Sequence, residues 1–272
     1  MEPYAELENS EHRLISNMGK WYAGDKVIFR GADLHRELAD MDWMALFVYS
    51  ITGKRFSQGH MRVLNAIWTG TSYPDPRIWN NRVVALAATA RTTSTLALGA
   101  ATAVSEARIY GHRANYHALD FIQRARRQVD TGIALEAIIK DELEQRRMLG
   151  GYGRPLYRTD ERIPFMKKLL EDEGFIHGAH VQLAFAVENL LLNGRWRYHM
   201  NISGLDAAIG ADFGFNADEY VMFMALIFTA GMAPIYLENK QRAAGSVFPL
   251  RCARIEYTGP APRRWDDSGQ DF

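Results

Sequence analysis

A mainly α fold is what this sequence predicts, and three observations carry that expectation. Apolar residues recur at helical spacing along most of the chain. Strand-like alternation is confined to two short segments. Gly- or Pro-rich breaks separate the helical stretches. Leu34 to Thr52 has apolar residues at helical spacing and stops at Gly53. Arg82 to Ser105 is rich in Ala, Leu and Thr, small residues that allow close helix packing. Asn115 to Arg127 and Ile133 to Met148 repeat the pattern. The second carries Lys140, Asp141, Glu142 and Glu144 on one face, and Gly150-Gly151 reads as its stop signal. Ile163 to Glu173, His180 to Leu192, Ser203 to Ile209, Asn216 to Leu226 and Phe228 to Arg242 complete the helices. Val27 to Arg30 and Arg254 to Tyr257 are the strand candidates. The polar, Pro-containing end from Ala261 is expected to fray.

Composition narrows the function classes. The 272 residues suffice for one large domain or two modest ones, and for a sizeable core. Lys plus Arg equals Asp plus Glu, so no net field attracts nucleic acid or an anionic membrane. The single cysteine, Cys252, excludes an internal disulfide framework and any multi-cysteine metal site. Together with an N-terminus that does not read as a signal peptide, it points to a cytoplasmic protein. Val221 to Leu237 approaches membrane-spanning length. It is interrupted by Thr229, Gly231 and Pro234, and reads better as helix buried inside an all-α domain.

Function is expected in the irregular loops, which a rigid helical scaffold positions. Gly151-Tyr152-Gly153-Arg154-Pro155-Leu156 lets backbone approach a ligand closely, and the run on to Arg162 supplies three arginines before a helix starting near Asp160. Backbone N–H groups at a helix start, together with Arg, suit a carboxylate or phosphate. The plainer alternative is a turn with solvated arginines and an Asp160 cap. Arg251, Arg254, Arg263 and Arg264 form a second basic run, whose default reading is a solvated face. His112 and His117 are wrongly spaced for one metal-binding helix face, and His177 and His180 lack a third ligand, so no metal site is expected. Nucleophile elbow, P-loop and dinucleotide fingerprints are absent from the sequence.

The segment Gly151 to Arg162 resembles, position for position, the citrate synthase loop Gly-Tyr/Phe-Gly-His-x-Val-Tyr/Leu-Arg/Lys-x-Asp-Pro-Arg. Further matches follow in order. Ile28-Phe29-Arg30-Gly31 is similar to the family's early Tyr-Arg-Gly strand, and Asn80 to Ala85 to its Ala-Arg-Val helix. Arg113-Ala114-Asn115 falls at Gly-Ala-Asn, and Asn201 to Leu205 at the Asn-Val-Asp-Gly-Leu of citrate lyases. Arg254 to Gly259 resembles the terminal Arg-Gln-Leu-Tyr-Thr-Gly. The resemblance to the citrate synthase/citryl-CoA lyase superfamily thus runs from about residue 26 to 260. It implies a mostly α homodimer whose large and small domains close over a carboxylate substrate and an acyl-coenzyme A. Residues 1–111 and 201–272 would form the large domain, and 112–200 the small one. Gly151, Tyr152, Gly153, Pro155 and Leu156 would line the coenzyme A pocket. Arg162 would grip a substrate carboxylate, a task suited to a planar guanidinium, and Arg251 or Arg254 would lie near the site at the dimer boundary.

The usual catalytic groups of that family are replaced. Ser203 stands where the lyases carry the Asp that takes a proton from the acyl carbon, and a neutral serine is a poor general base. Arg154 replaces the loop histidine, Tyr73 the histidine of the Ser72-Tyr73-Pro74 turn, and His112 sits one position beyond its expected place. Phe228 and Cys252 fall where the family has arginines. Three functions follow from this pattern. In an altered C–C bond enzyme, Arg154 and Tyr73 stabilise an enolate or alkoxide oxygen and His112 is an acid or base. There Asp206, one turn past Ser203, substitutes for the lost carboxylate. The second is a non-catalytic paralogue with a ligand-binding or regulatory role. The third is a repurposed cyclase or aldolase of specialised metabolism that no longer uses coenzyme A.

Overall fold

The computed structural model describes residues 4–107, 109–154, 157–246 and 251–261. As the periodicity predicts, the architecture is mainly helical. A short α1 (Ala5–Asn9) precedes an antiparallel meander of β1 (Gly19–Tyr22), β2 (Lys26–Phe29) and β3 (Ala32–Asp33). In its register Gly19 faces Phe29 and Ile28 faces Asp33. The helix expected from Leu34 begins only at α2 (Trp43–Thr52). The Asp33 carboxylate accepts from the N–H groups of His35 and Arg36 and holds a turn there, and Asp42 then caps α2 through Ala45 N–H. Gly53 ends α2 in the left-handed conformation, as the stop signal predicts.

Helix α3 (Gln58–Thr71), absent from the sequence prediction, follows a Ser57 cap. Gly59 and Gly70 weaken its propensity, but Val63, Leu64 and Ile67 are buried on one face, and packing overrides propensity. The stretch Arg82 to Ser105 is two helices, α4 (Trp79–Thr89) and α5 (Ser94–Val104). They are divided where Arg91 turns left-handed and Thr93 caps the second. The small hairpin β4 (Glu106–Ala107) and β5 (Tyr110–Gly111) then feeds α6 (His112–Asp130). After α7 (Leu135–Arg146), the helix terminator is Arg147 at φ 56 rather than the glycine pair.

Helices α8 (Arg162–Asp172), α9 (Ala179–Asn193), α10 (Ile202–Asp212), α11 (Ala217–Ile227) and α12 (Met232–Gln241) complete the set. Residues 254–257 form no strand; they lie exposed after a single 3-10 turn, Cys252–Arg254. The frayed end expected from Ala261 lies, beyond that residue, outside the described residues, as do Arg263 and Arg264.

Helix α10 is the axis of the main core. Nearly every residue from Ile202 to Ala211 is buried, and apart from Ser203 and Asp206 the span is apolar all round, as expected of a helix enclosed by others. The face of α6 carrying Asn115, Ala118, Leu119, Ile122 and Ala125 packs onto it, with α8, α9 and α11 around them. Small residues set the distances: a Cβ on Gly210 would lie 2.8 Å from the Tyr220 ring. Asp212, at the end of α10, accepts from the N–H groups of His180 and Val181 and from the His180 ring, capping α9 where Gly178 has no side chain to do so. A separate core joins α4, α5 and α12 through Ala85, Ala88, Ala97, Ala101 and Met232.

The apolar run Ala217–Gln241 has the length and composition to cross a membrane. In the fold a turn at 228–231 breaks it into α11 and α12. Helix α11 joins the main core and α12 the smaller one.

Candidate functional site

A cavity of about 300 Å³ opens where the start of α6, the 150–162 loop, the start of α10, the 71–81 turn and the 224–231 segment meet. The loop reaches this place because it lacks side chains. A Cβ on Gly150 would lie 2.7 Å from Ala118 N, and one on Gly151 would lie 2.4 Å from the Cα of Gly204. Backbone bonds then fasten it to the entry of α10: Asn201 N–H to Gly151 O at 2.9 Å and Gly153 N–H to His199 O at 2.7 Å. The Asn201 side-chain amide donates to Gly153 O.

Asp160 organises the charged wall. Its side chain is fully buried and receives Arg162 through Nε and Nη2, both at 2.8 Å. It also accepts from Ile202 N–H at 2.9 Å, so one carboxylate fixes both Arg162 and the first turn of α10. Burial alone would raise the Asp160 pKa, but these bonds outweigh it and hold the carboxyl below its ordinary value. Arg154 donates to Thr159 O and to Glu161 Oε2 at 2.8 Å. Tyr73 donates to the other Glu161 oxygen at 2.8 Å, and Arg162 lies over its ring. Burial, reinforced by that bond, pushes the Tyr73 hydroxyl up to about 12.

The opposite wall is uncharged. Asn81 holds the 73–75 turn by donating to Tyr73 O and Asp75 O. Asn80 donates to Phe228 O and accepts from the Tyr110 hydroxyl. Among the described residues that line the cavity, two buried groups are unsatisfied: both side-chain polar atoms of Asn115, and Oδ1 of Asp206. Asp206 is 1% exposed, and burial pushes its carboxyl up to about 8, against the pull of Arg162 and with the help of Asp160. A buried polar atom without a partner is costly, so unsatisfied groups lining a cavity mark a place where a ligand or an ordered water supplies the partner.

Arg154, Tyr73, Ser203, Asp206, Arg162 and Gly153 are thus brought together. His112 is not among them. It faces a neighbouring cavity with Glu106, Arg113 and His117, its Nδ1 3.2 Å from Glu106. Gly151 uses its freedom against α10, and Tyr152 is a core residue whose hydroxyl donates to Ala184 O. Arg251 and Arg254 are exposed and line no part of the cavity. Pro155 and Leu156 lie outside the described residues. Among the described residues, no group of three or more His, Cys, Asp or Glu is placed to hold a metal ion.

Sequence reasoning from spacing missed Glu161, the partner of both Arg154 and Tyr73, and Tyr110. It had Asp160 only as a cap. The signal for Asp160 was its place two residues before Arg162, close enough for a local bidentate pair.

Solved structures share this fold at low sequence identity. The citryl-CoA lyase of Hydrogenobacter thermophilus superposes with a TM-score of 0.81 at 19% identity, covering 93% of this chain and 97% of that one. The ATP citrate lyase of Methanothrix soehngenii, in complex with citrate and coenzyme A, has a TM-score of 0.76 at 16% identity, covering 96% and 45%. Citrate synthase from Thermotoga maritima has a TM-score of 0.65 at 16% identity, covering 86% and 62%. No curated protein matches the sequence. The family model for the citrate synthase C-terminal domain matches residues 2–247, nearly the whole described chain. With both motif order and fold in agreement, this chain belongs to the citrate synthase family.

Proposed function

We propose that this protein makes or breaks a C–C bond, in the aldol or Claisen sense, next to the carbonyl of a coenzyme A thioester whose substrate carries a carboxylate. The observation that carries this reading is Asp206: a buried carboxyl with an unpaired oxygen, in a cavity shared with Arg162. It stands one turn beyond Ser203, so a carboxyl remains in this cavity although the loop position has lost its own. In the bond-forming direction, ionised Asp206 takes the proton from the carbon beside the thioester carbonyl. The electron pair left behind becomes an enolate, which attacks the carbonyl carbon of the second substrate; the C=O π pair moves onto that oxygen, which takes up a proton from solvent, and Asp206 later releases its own proton to solvent. Cleavage is the reverse, with Asp206 returning the proton. A carboxyl with a pKa of about 8 has the basicity for this step near neutral pH. Asn115 offers the unpaired donor for the oxygen that gains charge. Arg162 orients the carboxylate, and Tyr73 and Arg154 fix the wall behind it.

Two relatives in the same fold support the ligand class: the ATP citrate lyases of Methanothrix soehngenii and Methanosaeta concilii were solved with citrate and coenzyme A, and with (3S)-citryl-CoA. Calorimetric titration with coenzyme A is the test. Saturable binding is expected; a folded protein that gives no heat with coenzyme A would move the reading to a coenzyme A-independent cyclase or aldolase.

The same reading makes the protein a cytoplasmic homodimer with a small domain over 112–200. Helix α5 supports the dimer, presenting Leu96 and Val104 to solvent beside exposed Gly99 and Ala100. Light scattering is expected to give twice the chain mass of 30.9 kDa, and a monomer at micromolar concentration would refute it.

A further inference from the structure

The hydroxyl of Tyr220 is a polar atom where a phenylalanine would fill the same space. Tyr220 is 1% exposed and sits on the face of α11 that joins the main core, beside Phe223 and Met224. Its ring meets α10 at Gly210, where a Cβ would lie 2.8 Å from Cδ2 and 2.9 Å from Cε2. Gly210 stands four residues after Asp206, so the two share one face of that helix. Tyr220 therefore packs against the stripe of α10 that carries Asp206, and the charge of Asp206 reaches its hydroxyl. The Tyr220 hydroxyl and Asp206 Oδ1 are both buried, and neither has a partner among the described residues, so they do not bond each other directly. Both residues are 1% exposed, which places the two oxygens in the interior of one subunit. One can donate and the other accepts, and a single internal water satisfies both. Without it a core hydroxyl would carry the cost of desolvation and gain nothing over a phenyl ring.

We infer that Tyr220 is a positioning residue for Asp206: its hydroxyl donates to one internal water, which donates in turn to Oδ1 and leaves the other carboxyl oxygen to the cavity. The arrangement fixes which oxygen of Asp206 handles the substrate proton. The inference rests on the proposed function only in taking Asp206 as the base. A donor to the carboxylate favours its charged form, so Tyr220 offsets part of the burial that raises the Asp206 pKa. The charged groups acting on Asp206 from other segments are Arg162 of α8, which favours the carboxylate, and Asp160 of the loop before it, which opposes it. Helix α6 brings the uncharged Asn115 amide to the same cavity, and Tyr73 and Arg154, each bonded to Glu161, also line it.

The test is the titration of Asp206 itself, read by carbon-13 NMR on protein labelled at its aspartate carboxyl carbons. The Asp206 signal is identified by its loss in Asp206→Asn. Tyr220→Phe removes one oxygen and keeps the ring on Gly210. It is expected to raise the Asp206 midpoint by about half a pH unit to one unit, the scale of a hydrogen bond to a charged group when a water relays it. A midpoint that is unchanged or lower in Tyr220→Phe, with the wild type titrating near pH 8, overturns the inference and leaves the proposed function standing. A wild-type midpoint near pH 4, the ordinary aspartate value, removes Asp206 as a buried base and overturns both.

A second variant separates the hydroxyl from the packing around it. Phe223 lies one turn along α11, in the same core, and carries no polar atom. Phe223→Leu is expected to lower the urea midpoint of unfolding and to leave the titration of Asp206 where it is. If Phe223→Leu moves the Asp206 midpoint as far as Tyr220→Phe does, core packing sets that midpoint and the inference fails.

Discussion

Asp206→Asn is expected to abolish nearly all C–C bond activity while making the protein more stable at alkaline pH. A catalytic carboxylate contributes typically about 10²–10⁴-fold in rate. The stability effect follows from where Asp206 holds its proton. Unfolded, an aspartate loses it near pH 4. Folded, burial delays the loss to about pH 8. Between those values the native state binds a proton that the unfolded state has released, so stability falls as pH rises across that window, and levels off above it. At about 1.4 kcal/mol per pKa unit, the accumulated cost at pH 8.5 is on the order of 3–5 kcal/mol once relaxation is allowed for. Asparagine cannot ionise and escapes that cost. Urea unfolding at pH 6 and pH 8.5 reads the difference. The variant should gain on the wild type at the higher pH, and parallel profiles would mean that Asp206 is already ionised near neutrality. In the active enzyme, kcat/KM should climb with pH to an apparent pKa near 8, as a general base requires.

The second large effect is expected at Gly151. Its φ of +87° is strained for any residue with a side chain, and an alanine Cβ would lie 2.4 Å from the Cα of Gly204. Neither partner is a flexible side chain, so the loop must lift from α10. Gly151→Ala should destabilise by about 3–5 kcal/mol, combining backbone strain with overpacking. Gly24→Ala is the control, because its φ is +73° and its Cβ would meet open space. It should cost only about 1 kcal/mol. Gly204→Ala attacks the same contact from the other side, with its Cβ 2.5 Å from Gly151 O, so the double variant should cost less than the sum. If the Gly151 and Gly24 variants unfold at the same urea concentration, the close approach of loop and helix is not a feature of the molecule in solution. Because the same loop carries Arg154 and leads to Arg162, even a partly folded Gly151→Ala protein should bind carboxylates less well.

Sequence by itself determined the helical class of this protein. The apolar face of α6, the Gly53 stop and the division of α11 from α12 near Phe228 are set by spacing and local backbone preference, which act over a few residues. It also determined the family, because the loop from Gly151 to Arg162 keeps its order of residues. Local reading failed where contacts from distant segments outweighed propensity. Helix α3 forms despite Gly59 and Gly70 because its apolar face is buried, and the turn after β3 displaces helix because Asp33 captures two backbone N–H groups. Only the tertiary structure decided the chemistry of the site. The spacing between Ser203 and Asp206 is legible, but the raised pKa of Asp206 comes from enclosure by several helices, and a pKa depends on surroundings rather than on neighbours in sequence. The rotation of α6 gives Asn115 to the cavity and turns His112 toward Glu106 and a different one. Asp160 and Glu161 occupy the arginines that the sequence offered for a ligand, and whether a guanidinium is free is settled by the carboxylates that the fold places beside it.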